Sequence, residues 1–405
     1  MVKNEKGESM HIYRADKNES IYDIARRYDV SPMRIAEDNG LDIRERLTEG
    51  REVLVRIPSR TYNVRVGDTE DKIASRFQIS KESLMRLNPE LGGKEKLYQG
   101  QLLTVKESGP SMGAISVNGY LYSGAPRDRL TALMPYLSYV TVCSAVYKDG
   151  RVHNLYPTDD TPALVKSRGR VPMLRVYMSE LPREDRDFGG SVSILAKSGG
   201  YSGVTLSALT SLSDNKDRLC ALTLATRRAL LENDLLLFAE GDAAMDTSYM
   251  DYADAGILTY DKLHLCPCPS FDEGEARVYG DFAESGESAR TFIELSSFAY
   301  SGSGYIEKCE AMRILDRKRA EISCDSDAKV IRASYGRHKR REVIYESLEN
   351  TKAKLDIVSE LGFMGVSFDI GRICIADLMA MASSFDIISA PFMLPKPAEV
   401  KRCNP

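Results

Sequence analysis

The chain has 405 residues, 43% of them hydrophobic and 28% charged, with a formal net charge of −4. This is the composition of a globular protein with room for two or three domains and at least one large core. It excludes a global basic field that would draw the chain to nucleic acid, and no apolar run reaches the roughly 18–20 residues of a membrane span. The N-terminal stretch MVKNEKGESMHIYRADKNES has no apolar signal core, so no signal peptide is expected, and Met10 is a possible start. Eight cysteines are scattered as thiols of a reducing compartment usually are, and there is no tryptophan.

The first elements in chain order form a repeat. Tyr13 matches Tyr62, Ile24-Ala25 matches Ile73-Ala74, Tyr28 matches Phe77 and Asn39 matches Asn88, each 49 residues apart. Both copies close alike, with LTEGREVLVRIP (47–58) and LYQGQLLTV (97–105). Within each copy a short strand runs into a turn. Ser20 or Thr69 then caps a helix, with Asp23 completing a capping box in copy one. Ser31-Pro32 starts a second helix with proline in its first position, and a glycine turn leads to a closing strand. Each copy is therefore a small βααβ unit, over residues 10–58 and 60–106.

These residues resemble the LysM module, most specifically in copy two, VRVGDT…IA..F.IS…L..LN. The resemblance implies binding of N-acetylglucosamine-containing glycans such as peptidoglycan and chitin. The groove would lie between the strand–helix turn and the loop after the second helix. In copy two that gives Gly67, Asp68, Thr69, Asn88, Pro89 and Glu90; in copy one, Asn18, Glu19, Ser20, Asn39, Gly40 and Leu41. Copy one lacks the family's Gly-Asp pair, so the two affinities are expected to differ.

KESGPSMG (106–113) reads as a linker. About 280 residues follow, in which strand-like runs starting at 114, 137, 171, 201, 234, 255, 290 and 362 alternate with helix-like segments. That alternation predicts a parallel sheet, and eight strands predict closure into a (β/α)8 TIM barrel, an α/β fold.

The order of local patterns over residues 113–392 resembles a family 18 glycoside hydrolase of the kind fused to LysM modules in spore-forming bacteria. YVTVCSAVYKDGRV resembles the second strand and its turn, GGYSGV the entry to the fourth, and ILTYD the sixth. The stretch from Ala320 to Arg372 resembles the family's C-terminal third, including a small inserted α+β subdomain. Such enzymes carry D-x-x-D-x-D-x-E on strand four. The Glu protonates the glycosidic oxygen while the substrate's acetamido oxygen attacks, oriented by the preceding Asp. Here the four acids become Ser202, Thr205, Ser207 and Leu209. A hydroxyl replaces an Asp as a hydrogen-bond partner but not as a charge, and leucine delivers no proton. The family's subsite tryptophan is missing too, although Tyr260 and Asp261 survive after strand six, Tyr260 as a glycan contact.

Glu240, Asp242, Asp261 and Asp369 end other strands on the face where barrel active sites lie, and Glu240 and Asp261 are the fallback acids. Their ordinary role is loop capping. HLCPCP (264–269) lacks the ligand set of a zinc site and reads as reduced thiols in a loop, and the basic turn GRHKRRE (336–342) reads as a solvated turn, with an anionic glycan or another protein as the alternative contact. No cofactor and no metal are expected.

The sequence thus points to a glycan-binding protein with an emptied glycosidase barrel. By resemblance it is made in the mother-cell cytoplasm and deposited at the spore cortex or coat, without membrane insertion. The alternatives are an N-acetylglucosaminidase with a relocated acid, and a structural coat protein that binds spore-coat proteins.

Overall fold

The computed structural model describes residues 10–44, 46–91, 97–156, 160–207, 215–260, 263, 268–302, 304–336 and 340–389. Module one pairs strands Met10–Arg14 and Glu52–Arg56 antiparallel around helices Ile21–Tyr28 and Pro32–Asn39. Ser20 and Asp23 form the reciprocal capping box, and Gly40 ends the second helix at φ 63°, where a side chain would strain the backbone. Ile21, Ile24, Ile35, Val53 and Val55 fill its core. Module two repeats the plan with strands Pro58–Asn63 and Leu102–Glu107 and helices Glu70–Phe77 and Lys81–Leu87 over Ile73, Leu84 and Leu103.

The large domain is a closed barrel of eight parallel strands: β1 (Ala114–Leu121), β2 (Tyr139–Lys148), β3 (Val171–Met178), β4 (Gly203–Ser207), β5 (Leu236–Asp242), β6 (Ala255–Thr259), β7 (Thr291–Glu294) and β8 (Gly365–Asp369). Closure is made by β8 pairing with β1, which pairs with β2. Inside, Tyr139, Phe238 and Phe292 meet with centroids 5.2–5.9 Å apart, so the lower barrel is packed aromatic core. The Gly-rich entry to β4 has a steric reason. A Cβ on Gly203 would lie 2.7 Å from the Leu236 carbonyl oxygen.

One expectation needs correcting. The run from Arg290 to Tyr300 is two elements, not one strand. The barrel strand ends at Glu294, and Phe298–Tyr300 joins a separate antiparallel sheet with Tyr305–Glu307, Glu321–Asp325, Val330–Tyr335 and Arg341–Glu346. With helix Lys308–Lys318 this is the inserted α+β subdomain. It is pinned to the barrel by buried charge pairs, Lys308 to Asp377 at 2.9–3.0 Å and Lys354 to Glu346 at 2.9–3.1 Å. A second correction concerns the thiols: Cys309 of that helix is disulfide-bonded to Cys374, with their Cα atoms 5.7 Å apart.

The modules are not tethered loosely. Met10 and Leu54 of module one belong to the barrel's own core. The Arg56 side chain is wholly buried, bonded to Asp38 (2.9 Å), Glu107 (2.5 Å) and Ser383 (2.8 Å). Glu52 accepts from the backbone of Leu348 at 2.7 Å, and Arg51 pairs with Asp316 at 3.1 Å. Part of the presumed linker is therefore structure: Lys106 and Glu107 end a strand, and Glu107 clasps Arg34, Arg56 and Ser383.

Candidate functional site in the barrel mouth and the module grooves

Strand β4 carries Thr205 and Ser207 into the barrel, both buried, with Ser202 just before it. Leu209 and Asp261, like His264 and Cys266, lie outside the described residues. Thr205 Oγ1 is buried without a hydrogen-bond partner among the described residues. In register it sits between Arg175 on β3 and Phe238 on β5. Arg175 reaches across β4 to Glu240 on β5, with Nε–Oε1 at 2.8 Å and Nη2–Oε2 at 2.9 Å. The small hydroxyl residues of β4 leave the space that this bidentate pair spans. The guanidinium lies 5.2 Å from the Tyr120 ring and 5.5 Å from the Tyr122 ring. At the level where the family pattern has strand-four carboxylates, this barrel therefore holds a guanidinium bound to a carboxylate from the next strand.

Glu240 is engaged by Arg175 through both carboxylate oxygens. Asp242 caps a turn by accepting from the Ala244 N–H at 2.9 Å. Asp369 accepts from the Gly371 N–H at 2.8 Å and pairs with Arg372 at 2.6 Å. Tyr260 follows β6 and is half-buried against the barrel's outer core. The carboxyl that sequence reasoning missed is Glu294, the last residue of β7. Burial, with the nearby Glu240 charge second, pushes it up to about 7. The available signal was an acid two residues after the inward-facing Phe292 in an otherwise apolar strand.

The modules share a second constellation, spaced by the repeat. In module one the Tyr13 hydroxyl donates to Glu19 at 2.9 Å, and Arg27 donates to Glu19 at 2.7 Å and also to the Tyr13 hydroxyl. In module two the Tyr62 hydroxyl donates to Asp68 at 2.7 Å, and Arg76 donates to the Tyr62 hydroxyl. These bonds fix the strand–helix turns that form one lip of each groove. Asn39 and Asn88 sit at the other lip, but their side chains are spent internally. Asn39 binds the Ile35 and Leu54 carbonyls and the Leu54 N–H, and Asn88 does the same with Leu84 and Thr104, all at 2.7–2.8 Å. Each therefore braces its loop from within, as the Ser20 and Thr69 hydroxyls brace the helix starts by accepting from the Asp23 and Lys72 N–H groups.

A family model, "LysM domain", matches residues 13–56 and 62–106. These segments are two LysM domains. The whole architecture is similar to the spore cortex-lytic enzyme SleL of Bacillus cereus, at 17% identity and TM-score 0.68 over 94% of this chain and 100% of that one. It is equally similar to SleL of Bacillus megaterium QM B1551, at 17% identity and TM-score 0.69 over 95% and 100%. The barrel alone resembles a chitinase from Chromobacterium violaceum, at 18% identity and TM-score 0.54 over 67% and 98%. Among curated proteins none matches the sequence. At these identities the likeness establishes the chitinase-type barrel fold. Among the described residues no helix is long and apolar enough to cross a membrane.

Proposed function

We propose that the protein binds N-acetylglucosamine-containing glycan, peptidoglycan in the first instance, and that its barrel does not hydrolyse it. Two LysM domains support the binding, and a class V chitinase variant from Nicotiana tobaccum with a similar barrel was solved in complex with NAG4. The observation that carries the loss of reaction is the Arg175–Glu240 pair across β4. Substrate-assisted cleavage develops positive charge on the sugar and its acetamido group, and carboxylates stabilise it. Here the Glu240 carboxylate is already committed to Arg175, so the pair offers no free carboxylate for that task. We place the protein at the spore cortex or coat, on the shared architecture with the SleL enzymes, with spore-coat proteins as further partners. Purified cortex peptidoglycan incubated with the protein should yield no new N-acetylglucosamine-terminated fragments by mass spectrometry, with the protein recovered on the pellet. New fragments would overturn the reading.

Glu294 favours a second reading, an active N-acetylglucosaminidase with a relocated acid. A carboxyl that titrates near 7 at a barrel mouth has the character of a general acid. On that reading Glu294→Gln abolishes fragment release. On the first, its only effect is on stability. Its folded pKa lies above the ordinary carboxylate value, so ionisation opposes folding as pH rises through about 7. Glu294→Gln should then be more stable than the parent at pH 8, by on the order of 2 kcal/mol, and the gap should close near pH 4. Urea titrations at the two pH values measure it.

A further inference from the structure

The two lips of module one's groove do not face open solvent. Asn18 on one lip, and Gly40 and Leu41 on the other, line a cleft of about 1370 Å³. Its opposite wall is the inserted subdomain, with Glu310, Arg313 and Arg317 on helix Lys308–Lys318. Its floor includes Arg372, just beyond β8. None of module two's groove residues lines it. Instead, the Pro89–Leu91 turn of module two packs beside module one's second helix, where burial pushes the Glu90 carboxyl up.

Three features give this cleft the character of a built site. Its walls are rigidly connected: the Cys309–Cys374 disulfide and the Lys308–Asp377 pair hold the inserted helix to the barrel, and Arg51–Asp316 holds it to module one. A preorganised cleft of this kind loses little freedom when occupied. Its chemistry is polar and nearly charge-balanced, with eight basic and seven acidic residues among the described lining. That suits a hydroxyl- and amide-rich neutral chain better than a polyanion. It also adjoins the aromatic cluster at the strand ends: Arg372, in its lining, lies over the Tyr122 ring at 5.4 Å, and Arg175 lies 5.5 Å from the same ring. The volume exceeds the roughly 300–1,000 Å³ of an ordinary small-ligand site, enough for several sugar rings.

We propose that module one, the inserted subdomain and the barrel form one composite site for an N-acetylglucosamine chain. The chain enters over Asn18 and Gly40-Leu41, runs along Arg313 and Arg317, and passes Arg372 toward the barrel mouth. This rests on the glycan-binding reading and adds to it a wall that the LysM fold does not supply. Arg313 and Arg317 make exposed pairs with Glu310, at 3.5 and 3.0 Å, and Arg317 Nε also donates to the Arg313 carbonyl at 3.3 Å; exposed pairs of this kind are weak.

Calorimetric titration of the full chain with N-acetylglucosamine oligomers from dimer to hexamer tests it. The hexamer should bind at least about tenfold more tightly than the dimer, and the double variant Arg313→Ala/Arg317→Ala should lose about that factor for the hexamer while binding the dimer as the parent does. Both side chains are exposed, so the variant is expected to melt with the parent. Equal affinity for dimer and hexamer, or a double variant that keeps the gain, overturns the composite site and leaves glycan binding standing. Failure of the parent to bind any oligomer or insoluble peptidoglycan overturns both.

Discussion

In module one the closing strand Glu52–Arg56 is buried on both faces, whereas in module two the counterpart Leu102–Glu107 leaves Leu102 51% exposed. The asparagine clamps set the equivalence: Asn39 holds Leu54 as Asn88 holds Thr104, so Arg56 corresponds to Lys106. Val53 and Val55 match Leu103 and Val105 and point into the module cores. The other face differs. Leu54 enters the barrel's core and Arg56 is sealed among Asp38, Glu107 and Ser383, while Lys106 is exposed. Two copies of one blueprint therefore dock differently. The fold of a module is internal to it, but which groove opens into a cleft depends on how the module docks.

The largest expected effect that tests this contrast is at that arginine. Arg56→Ala leaves Asp38 and Glu107 as buried carboxylates with Arg34 alone to balance the two of them and should cost about 3–5 kcal/mol in urea unfolding. Lys106→Ala should stay within about 0.5 kcal/mol. Equal effects would mean that the docking adds nothing.

Next are the turn constellations. Glu19 is almost buried and accepts from Tyr13, Arg27 and the Asp16 N–H, so Glu19→Gln should cost about 1–3 kcal/mol. Asp68 is more open, and Asp68→Asn should cost less. The Tyr62 hydroxyl and the Arg65 N–H hold the Asp68 carboxyl below the usual carboxylate range. Its contribution is therefore present above that range and is lost as the pH falls through its lowered folded pKa, which acid titration of the parent against Asp68→Asn would show. The smallest difference is at the caps. Ser20→Ala removes the hydroxyl that bonds both the Asp23 N–H and the Asp23 carboxylate, keeps the Ser20 N–H to Asp23 bond, and should cost about 1 kcal/mol, and Thr69→Ala, with a single bond to the Lys72 N–H, somewhat less. Thermal melts of the two single variants compare them.

Much of the fold was legible in the sequence because its signals are local. The repeat, the cap residues Ser20 and Thr69, the proline at position 32 and the strand–helix alternation each act within a few residues of where they are written. The emptied positions Thr205 and Ser207 were legible for the same reason, since strand alternation alone sends them inward. Glu294 was not, because its altered titration comes from burial and from a charge on another strand. The division of Arg290–Tyr300 was hidden because no glycine or proline marks it, and the pairing of Cys309 with Cys374 by a separation of 65 residues.

By itself, then, the sequence determined two LysM units, a barrel of eight parallel strands and a fourth strand with hydroxyls at the two described inward positions where the family pattern has acids. Only the tertiary structure decided what stands beside those hydroxyls and where the grooves open. The alternation in EVLVRI would put Arg56 in water, and nothing near Arg175 in the chain names Glu240 as its partner. Both outcomes depend on which surfaces meet across tens to hundreds of residues. A buried charge is stable only where that meeting supplies its counter-charge.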